Sequence, residues 1–215
     1  MVLTLYKMDA SPPARAAMMV LDLLNLPAEY IDVNLLEKEH LSDEYLKMNP
    51  QHTIPVLKDD DFVLADSHAI AGYLVSKYAK DDSLYPQEPQ SRAIIDHRLH
   101  FDSGILFPSL RYTVAPIVFF GAKEIASDNL EKIKSSYEFS EKFLTKQWMA
   151  GDEFTIADIC CYASLSSLNE IVPVDSDKYP NLVSWLQRCS ELEFCKKKNE
   201  AGAKQLGALV RGMLA

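Results

Sequence analysis

The hydrophobic pattern of the first third of the chain switches repeatedly between the period of a strand and that of a helix. Ala17, Leu21 and Leu24 lie on one face of a helix, whereas residues 2–8 alternate as a strand does. Strand, helix and strand in this order predict a parallel pair with a right-handed crossover, and two later strands around an acidic turn predict a hairpin. The predicted elements are a strand at 2–8, a helix at 13–24, a strand at 30–33, a linking helix near 42–48, strands at 54–58 and 62–64 and a helix at 67–78. This order, βαβαββα, is the thioredoxin-like topology.

Two prolines, Pro86 and Pro89, mark a change in the pattern. Each fixes φ and removes a backbone donor, so a linker is expected around them. Beyond residue 90 the periodicity is helical almost throughout, which predicts an all-α unit. Within it, Thr155 and Asp158 form a capping-box pattern before a buried helix at 156–168. The expected organisation is a thioredoxin-like α/β domain at 1–82, a linker at 83–90 and an all-α domain at 91–215.

The composition limits the classes of function. Of 215 residues, 22 are Lys or Arg and 31 are Asp or Glu, a net charge of −9 that argues against non-specific binding to nucleic acid or to an anionic membrane. The longest apolar stretch, residues 112–122, is interrupted by Pro116 and is shorter than the ~20 residues of a membrane span. No signal peptide is visible, so a cytoplasmic location is expected. The cysteines lack CxxC or secreted-framework spacing and are expected to be reduced packing residues: Cys160, Cys161, Cys189 and Cys195.

The turn between the first strand and the first helix is the first candidate site. A helix N-terminus offers unpaired amides and a partial positive charge to an anion, and Ser11 lies there. Residues 1–85 contain no cysteine, which rules out thiol–disulfide chemistry by the protein itself at this turn. A serine hydroxyl can donate a hydrogen bond to a bound thiolate; a plain N-cap is the alternative.

Two further features lie in the same predicted domain. Ile54 precedes Pro55, and a cis bond there would turn the Ile54 amide and carbonyl outward to pair with an extended peptide, although a trans bond at a strand start is the commoner arrangement. Asp66 and Ser67 begin another helix, whose free amides suit a carboxylate or simply need an N-cap. Together with Ser11 these features describe a cradle for a short anionic thiol peptide.

Six segments in this order closely resemble cytosolic glutathione S-transferases of the insect delta/epsilon group, and the epsilon class in particular. The segments are SPPAR at 11–15, NPQHTIPVL at 49–57, DSHAI at 66–70, KDDSLYP at 80–86, LHFDSG at 99–104 and FTIAD at 154–158. The resemblance spans nearly the whole chain. It implies a detoxifying homodimer that conjugates glutathione, its co-substrate, to small hydrophobic electrophiles without a metal. Peroxide reduction and dehydrochlorination use the same thiolate, so the sequence predicts no single electrophile.

The resemblance also implies roles for individual residues. Ser11 would stabilise the glutathione thiolate, and Ile54, before a cis-Pro55, would pair with the cysteinyl backbone. The other implied glutathione contacts are His40 and His52 at the glycyl carboxylate, Asp66 and Ser67 at the γ-glutamyl end, Arg111 from the second domain, and the neighbouring Pro12, Thr53 and His68, the last expected on the helix surface. The chain has Ala14 where cysteine is common in the family and Asp66 where glutamate is common, and the shorter Asp66 side chain would loosen the γ-glutamyl contact.

An apolar stripe in the second domain matches the helix that lines the electrophile pocket in the family. Its members are Phe107, Leu110, Arg111, Val114, Val118 and Phe119, with Tyr112 as an added polar group and Leu36, Leu206 and Leu209 as closures. Such a stripe is also typical of ordinary core. His97 and His100 have a spacing that can bind metal, but no acidic or cysteine ligands accompany them, so a solvent or interface role is expected.

Three other functions compete with a transferase. The first is a transferase-like binding protein that sequesters hydrophobic ligands without turnover. A chloronitrobenzene conjugation assay would distinguish such a protein from an enzyme. A cysteine-using reductase or isomerase is disfavoured by Ala14 and by the lack of N-domain cysteines. The third alternative, an interaction module fused to a translation factor, would require an extra domain, and none is visible in this sequence. Retention of Ser11, Ile54–Pro55 and Asp66–Ser67 favours the enzyme.

Overall fold

A computed structural model describes residues 3–214, so Met1, Val2 and Ala215, at the outer ends of the predicted domains, lie outside it. The first unit is built on a mixed sheet of strand order β2-β1-β3-β4. β1 runs parallel to β2 and antiparallel to β3, and β3 runs antiparallel to β4. Its elements are β1 (Leu3–Lys7), α1 (Pro12–Leu23), β2 (Ala28–Asp32), a 3-10 turn (Glu39–Leu41), α2 (Asp43–Met48), β3 (Val56–Asp59), β4 (Phe62–Ala65) and α3 (Ser67–Tyr78).

The second unit is helical, and the predicted fold class, a thioredoxin-like α/β unit followed by an all-α unit, is confirmed. Its helices are α4 (Pro89–Phe101), α5 (Phe107–Phe120), α6 (Ser127–Phe143), α7 (Ile156–Ile171), α8 (Pro180–Glu191), α9 (Glu193–Cys195) and α10 (Ala201–Leu214), with π-helical turns at Asp102–Leu106 and Lys196–Glu200. Helix α4 begins inside the predicted linker, because Pro89 suits the first helical position and Glu88 caps the free amides.

The buried helix α7 is the centre of the molecule, in contact with α1, α3, α4, α5, α8 and α10. The capping box at its start is confirmed: Asp158 accepts from the Thr155 amide at 3.0 Å, and the Thr155 hydroxyl oxygen accepts in return from the first turn. Asp158 also accepts from the Met149 amide at 2.8 Å and from the Trp185 indole at 2.9 Å. The fully buried Asp158 carboxylate therefore links three segments by hydrogen bonds. The helix ends at Ile171, three residues beyond its predicted end.

The four cysteines are free and buried, as expected. Burial raises the pKa of each thiol, well above the usual value for Cys160, Cys161 and Cys189. A buried thiol with a raised pKa is a poor nucleophile, so these side chains act in packing.

The helical run Pro89–Phe120 is long and apolar enough, by length and composition alone, to cross a membrane. Core helices of soluble proteins meet the same test. This run is divided by a π-helical turn, and α4 and α5 both pack on α7. We therefore interpret the run as part of the helical unit.

Candidate active site

The register of the sheet brings three separate loops to one edge. Val56 pairs with Tyr6 of β1 and with Ala65 of β4. Continuing that register by two residues places Ile54 and Pro55 beside the start of α3 on one side and beside the end of β1 on the other. The end of β1 leads directly to Ser11. The three candidate features of the sequence are therefore neighbours in the fold.

Ser11 is the N-cap of α1. Its hydroxyl oxygen accepts a hydrogen bond from the Ala14 amide at 3.4 Å, and its own amide donates to the Met8 carbonyl at 2.9 Å. A hydroxyl group has one donor and two acceptor positions, so an oxygen that caps a helix keeps its proton for another acceptor. Pro12 and Pro13 occupy the first helical positions, where a missing amide costs no helical bond. The N-cap and the thiolate-donor interpretations are thus compatible.

The peptide bond between Ile54 and Pro55 is cis, as expected. The loop before it is fixed by Asn49, whose side-chain amide donates to the Thr53 carbonyl at 2.9 Å and hydroxyl at 3.0 Å. The Tyr45 hydroxyl donates to the same carbonyl at 2.8 Å. The Thr53 carbonyl is therefore engaged by the fold, whereas Ile54 lies just outside the paired register, which begins at Val56.

His40 and His52 approach each other, with ring centroids 6.1 Å apart. Burial and the neighbouring His52 lower the pKa of His40, so its ring is neutral near pH 7. The Nδ1 atom of His40 is buried and has no hydrogen-bond partner among residues 3–214. The pair therefore includes one unused polar atom beside the loop that carries the cis-proline.

Asp66 caps helix α3, as predicted. Its Oδ1 accepts from the amides of His68 and Ala69 at 2.9 and 3.1 Å. Its φ of 73° is a strained value for a residue with a Cβ. Hydrogen bonding to His68, opposed by burial, lowers the pKa of Asp66 to about 2, so the carboxylate is ionised. Ser67, the first helical residue, is buried behind it.

The expectation that His68 lies on the helix surface is wrong. Its side chain is only 15% exposed, and Nε2 lies 2.8 Å from Oδ2 of Asp102, at the junction of α4 with its π-helical turn. Nδ1 lies 3.4 Å from Oδ1 of Asp66. Burial lowers the pKa of His68, but the hydrogen bond to Asp102 and the nearby Asp66 carboxylate outweigh it and raise the pKa to about 10. His68 is therefore an imidazolium that joins the start of α3 to the helical unit.

The predicted stripe on α5 divides between core and surface. Leu110 is 2% exposed, on the core face that also includes Thr113 and Ile117, and Leu206 of α10 is 7% exposed in the same core. These two residues fill the interior and do not line an open surface. Half-buried residues along the edge of the core are Phe107, Val114 and Val118, and exposed ones are Arg111, Tyr112, Phe119, Leu36 and Leu209. The Tyr112 ring lies beside Lys132 of α6.

The sequence did not indicate two residues of the helical unit, Phe120 and Asp102. Phe120, beside Phe119, is 84% exposed, and its run of apolar neighbours was the available signal. Asp102 gave no local signal, because its partner lies 34 residues away. Among residues 3–214, no group of three or more His, Cys, Asp or Glu side chains is arranged to hold a metal ion.

Comparison with known proteins identifies the family. Residues 5–86 match the family model described as glutathione S-transferase, N-terminal domain, and residues 94–193 match the glutathione S-transferase, C-terminal domain. The chain belongs to the glutathione S-transferase family. It is 61% identical to glutathione S-transferase 1 of Manduca sexta over the full length of both chains. This glutathione S-transferase is therefore an enzyme, a transferase, with the fold and the loop arrangement described above.

Two solved structures show the same architecture. An epsilon-class glutathione S-transferase of the housefly, Musca domestica, is 48% identical, covers 98% of each chain and superposes with a TM-score of 0.96. A glutathione transferase homologue of Drosophila mojavensis with bound glutathione is 46% identical, covers 98% of this chain and 97% of its own, and has a TM-score of 0.95. The likeness extends over both units of this glutathione S-transferase.

Proposed function

We propose that this transferase binds glutathione on its thioredoxin-like unit, residues 1–82, and activates it as a thiolate at Ser11. Small hydrophobic electrophiles are held against the helical unit, residues 91–215, with 83–90 as the linker. The observation that carries the proposal is the Ser11 hydroxyl, which caps α1 and keeps a proton to donate at the sheet edge shared with Ile54 and Asp66. The glutathione bound to the homologue from Drosophila mojavensis supports the choice of co-substrate.

One serine and one helix can supply the free energy needed to lower the pKa of the bound glutathione thiol. A free thiol with a pKa of ~8.5 is only a few per cent ionised at pH 7, and lowering that pKa by two units requires about 2.7 kcal/mol. A hydrogen bond to a charged acceptor supplies about 1.5–3 kcal/mol, and the N-terminus of a helix adds about 0.3–1 kcal/mol. Neither a metal nor a basic side chain is needed. Ser11 then acts as a hydrogen-bond donor and not as a nucleophile.

The rest of the cradle matches the remaining parts of the tripeptide. The backbone of Ile54, turned outward by the cis bond, pairs with the cysteinyl unit. His40 and His52 meet the glycyl carboxylate, where the unpartnered Nδ1 of His40 gains a partner. Other proposed contacts are Asp66 and Ser67 at the γ-glutamyl end, Arg111 from α5, and Pro12, Thr53 and His68 as neighbours that shape the cradle.

The transfer step needs only the thiolate and an electrophilic carbon. The sulfur attacks the carbon that bears the leaving group, an S–C bond forms, and the leaving group departs with its electron pair as an anion such as chloride. The thiol proton has already passed to solvent. Phe107, Val114 and Val118 provide apolar contacts along α5, and the exposed Phe119, Leu36 and Leu209 close around the electrophile. Tyr112 faces α6 in this structure and is the least suited member of the predicted pocket.

We assign the chain to the epsilon class and expect a cytoplasmic homodimer. The 48% identity to the housefly epsilon-class enzyme supports the class. An open apolar depression of about 330 Å³ on α4 and α6 suits a subunit contact, and it is lined by His97, His100, Phe101, Ile105, Phe139 and Phe143. Sedimentation equilibrium tests this assignment: Phe139→Asp is expected to give monomers, and an unchanged dimer would place the interface elsewhere.

Replacement of Ser11 by alanine tests the proposed chemistry. The variant is expected to bind glutathione with an affinity within about threefold of the parent, while the pKa of the bound thiol, followed by thiolate absorbance, rises by at least about one unit. Conjugation of a chloronitrobenzene at pH 6.5 then falls at least about tenfold. Ser42→Ala is a matched control, because Ser42 caps α2 with a 3.3 Å bond in the same way. If the Ser11 variant kept the parent's thiol pKa and rate, the assignment would be wrong.

A further inference from the structure

The last helix of the chain touches the loop that carries Ser11. Gly202, in the first turn of α10, lies so close to this loop that an added Cβ would be 2.1 Å from the carbonyl oxygen of Asp9. The same Cβ would be 2.6 Å from Cδ of Arg15. Both distances are far below van der Waals contact, and the first one is to backbone, which cannot swing aside. The backbone of α10 is therefore in direct contact with the loop two residues before Ser11.

A second contact joins the same two segments. Arg15, one turn beyond Ser11 in α1, is completely buried and donates from Nη1 to the Asn199 carbonyl at 3.2 Å and to the Asn199 side-chain oxygen. Its Nη2 donates to the Ser167 hydroxyl of α7 at 2.6 Å. Asn199 is itself buried in the π-helical turn before α10, and its amide donates to Ser166 at 2.9 Å. The start of α1 and the loop before it are thus contacted at two points by the segment 199–202, which lies at least 184 residues away in the sequence.

The same loop is also bound by Lys7. This lysine is buried at the end of β1, and its Nζ lies 2.7 Å from carboxylate oxygens of both Asp9 and Asp32. Asp9 is therefore contacted twice, at its side chain by Lys7 and at its carbonyl by Gly202. Both contacts are made by Asp9, two residues before Ser11 in the sequence.

We propose that the turn and helix start at 199–202 are a positioning element for the Ser11 hydroxyl, acting through Gly202 on Asp9 and through Asn199 on Arg15. The inference rests on the proposed role of Ser11. Neither Gly202 nor Asn199 touches the reacting sulfur; each sets the place of the group that does. This relation has no local sign in the sequence, because the two segments lie at opposite ends of the chain.

Gly202→Ala tests the steric half of the proposal, and α10 provides two matched controls. At Gly207 an added Cβ would meet Glu170 of α7 at 2.6 Å, a clash of the same kind that does not touch the Ser11 loop. At Gly212 nothing lies within 4 Å. The bound-thiol pKa of Gly202→Ala is expected to rise by at least about one unit, with kcat at pH 6.5 reduced at least about tenfold and KM for glutathione changed less than about threefold. Gly207→Ala and Gly212→Ala are expected to keep the parent's thiol pKa.

Replacement of Asn199 tests the hydrogen bond between Arg15 and Asn199. It also tests the proposal if the Gly202→Ala variant does not fold. Asn199→Ala removes the side-chain acceptor of Arg15 and is expected to raise the bound-thiol pKa, whereas Asn199→Asp keeps an acceptor for the guanidinium and is expected to restore it. Loss of stability alone would lower the amount of folded enzyme without moving the thiol pKa of the folded fraction.

The outcomes separate this inference from the proposed function. If Ser11→Ala raises the thiol pKa but Gly202→Ala or Asn199→Ala, purified as folded protein, keeps the parent's value, the positioning role is refuted and the function stands. If Ser11→Ala itself leaves the thiol pKa unchanged, the proposed function fails first. A rise in Gly207→Ala equal to that in Gly202→Ala would also refute the inference, because the effect would then arise from any clash on α10.

Discussion

The contact between His68 and Asp102 should make the stability of the protein depend on pH. The two side chains are 15% and 5% exposed, and their 2.8 Å contact joins α3 to the helical unit. Asp102→Asn keeps an oxygen that can accept from the imidazole but removes the negative charge that favours the imidazolium. We expect the variant to be less stable than the parent by about 3–5 kcal/mol at pH 6, the usual cost of leaving a buried ion without its partner.

The pH dependence follows from the pKa of His68, which rises from 6.5 to about 10 on folding. At about 1.4 kcal/mol per unit, a difference of 3.5 units corresponds to at most about 5 kcal/mol. Because the folded pKa is the higher one, this contribution is complete below pH 6.5 and is lost as the pH rises towards 10. Asp102→Asn lowers that pKa, so the difference between parent and variant should shrink by about 2–3 kcal/mol between pH 6.5 and 9.

Urea unfolding of both proteins at pH 6, 7.5 and 9 measures this difference, at one protein concentration because the stability of the proposed dimer depends on concentration. Asp61→Asn, in the exposed turn between β3 and β4, is the control for removal of an acidic charge, and its difference from the parent should be small at each pH. A difference for Asp102→Asn that stays constant from pH 6 to 9 would refute the reasoning, because it would show that His68 does not carry the charge.

Two further predictions concern the interior of the helical unit. Asp158→Ala leaves three buried donors without their acceptor and should lower the free energy of unfolding by at least about 3 kcal/mol, with a smaller loss for Asp158→Asn; a urea-unfolding change below about 1 kcal/mol would contradict this. Leu110→Ala should cost about 2–5 kcal/mol of stability, whereas Phe119→Ala should cost less than about 1 kcal/mol and instead raise KM for the electrophile. Unfolding and steady-state kinetics of both variants check the assignment, and the reverse pattern would mean that these two residues exchange their roles.

The elements of the fold were predictable because their signals are local. The strand and helix periods of the first unit lie within a few residues of the observed bounds, and the caps at Asp66 and Thr155 mark helix starts through chemistry that acts over three residues. The start of β3 was placed two residues too early, since Pro55 has no amide to donate and the paired register begins only at Val56.

The lining of the proposed electrophile pocket was less predictable from the sequence than the elements of the fold, and the reason is physical. Helix α5 is apolar over most of its circumference, with arginine as its only charged residue. Its sequence therefore does not show which of its apolar residues are buried in the core. Packing against α7 and α10 decides this, and it places Leu110 in the core while Phe119 remains exposed. His68 is a similar case, because a histidine between two acids is recognisable only when both acids are seen in space.

The two contacts that the sequence did not reveal have a common consequence for the site. The start of α3 is joined to the helical unit through His68 and Asp102, and the start of α1 is joined to it through Arg15 and Asn199. Each contact relies on partners from the other unit, Asp102 for His68 and Asn199 and Ser167 for Arg15, so separating the units would remove these hydrogen bonds. Both helix N-termini proposed to hold glutathione are therefore fixed in place by the unit proposed to hold the electrophile. The geometry of thiolate activation consequently depends on how the two units pack together, although every proposed contact to the sulfur lies in the first one.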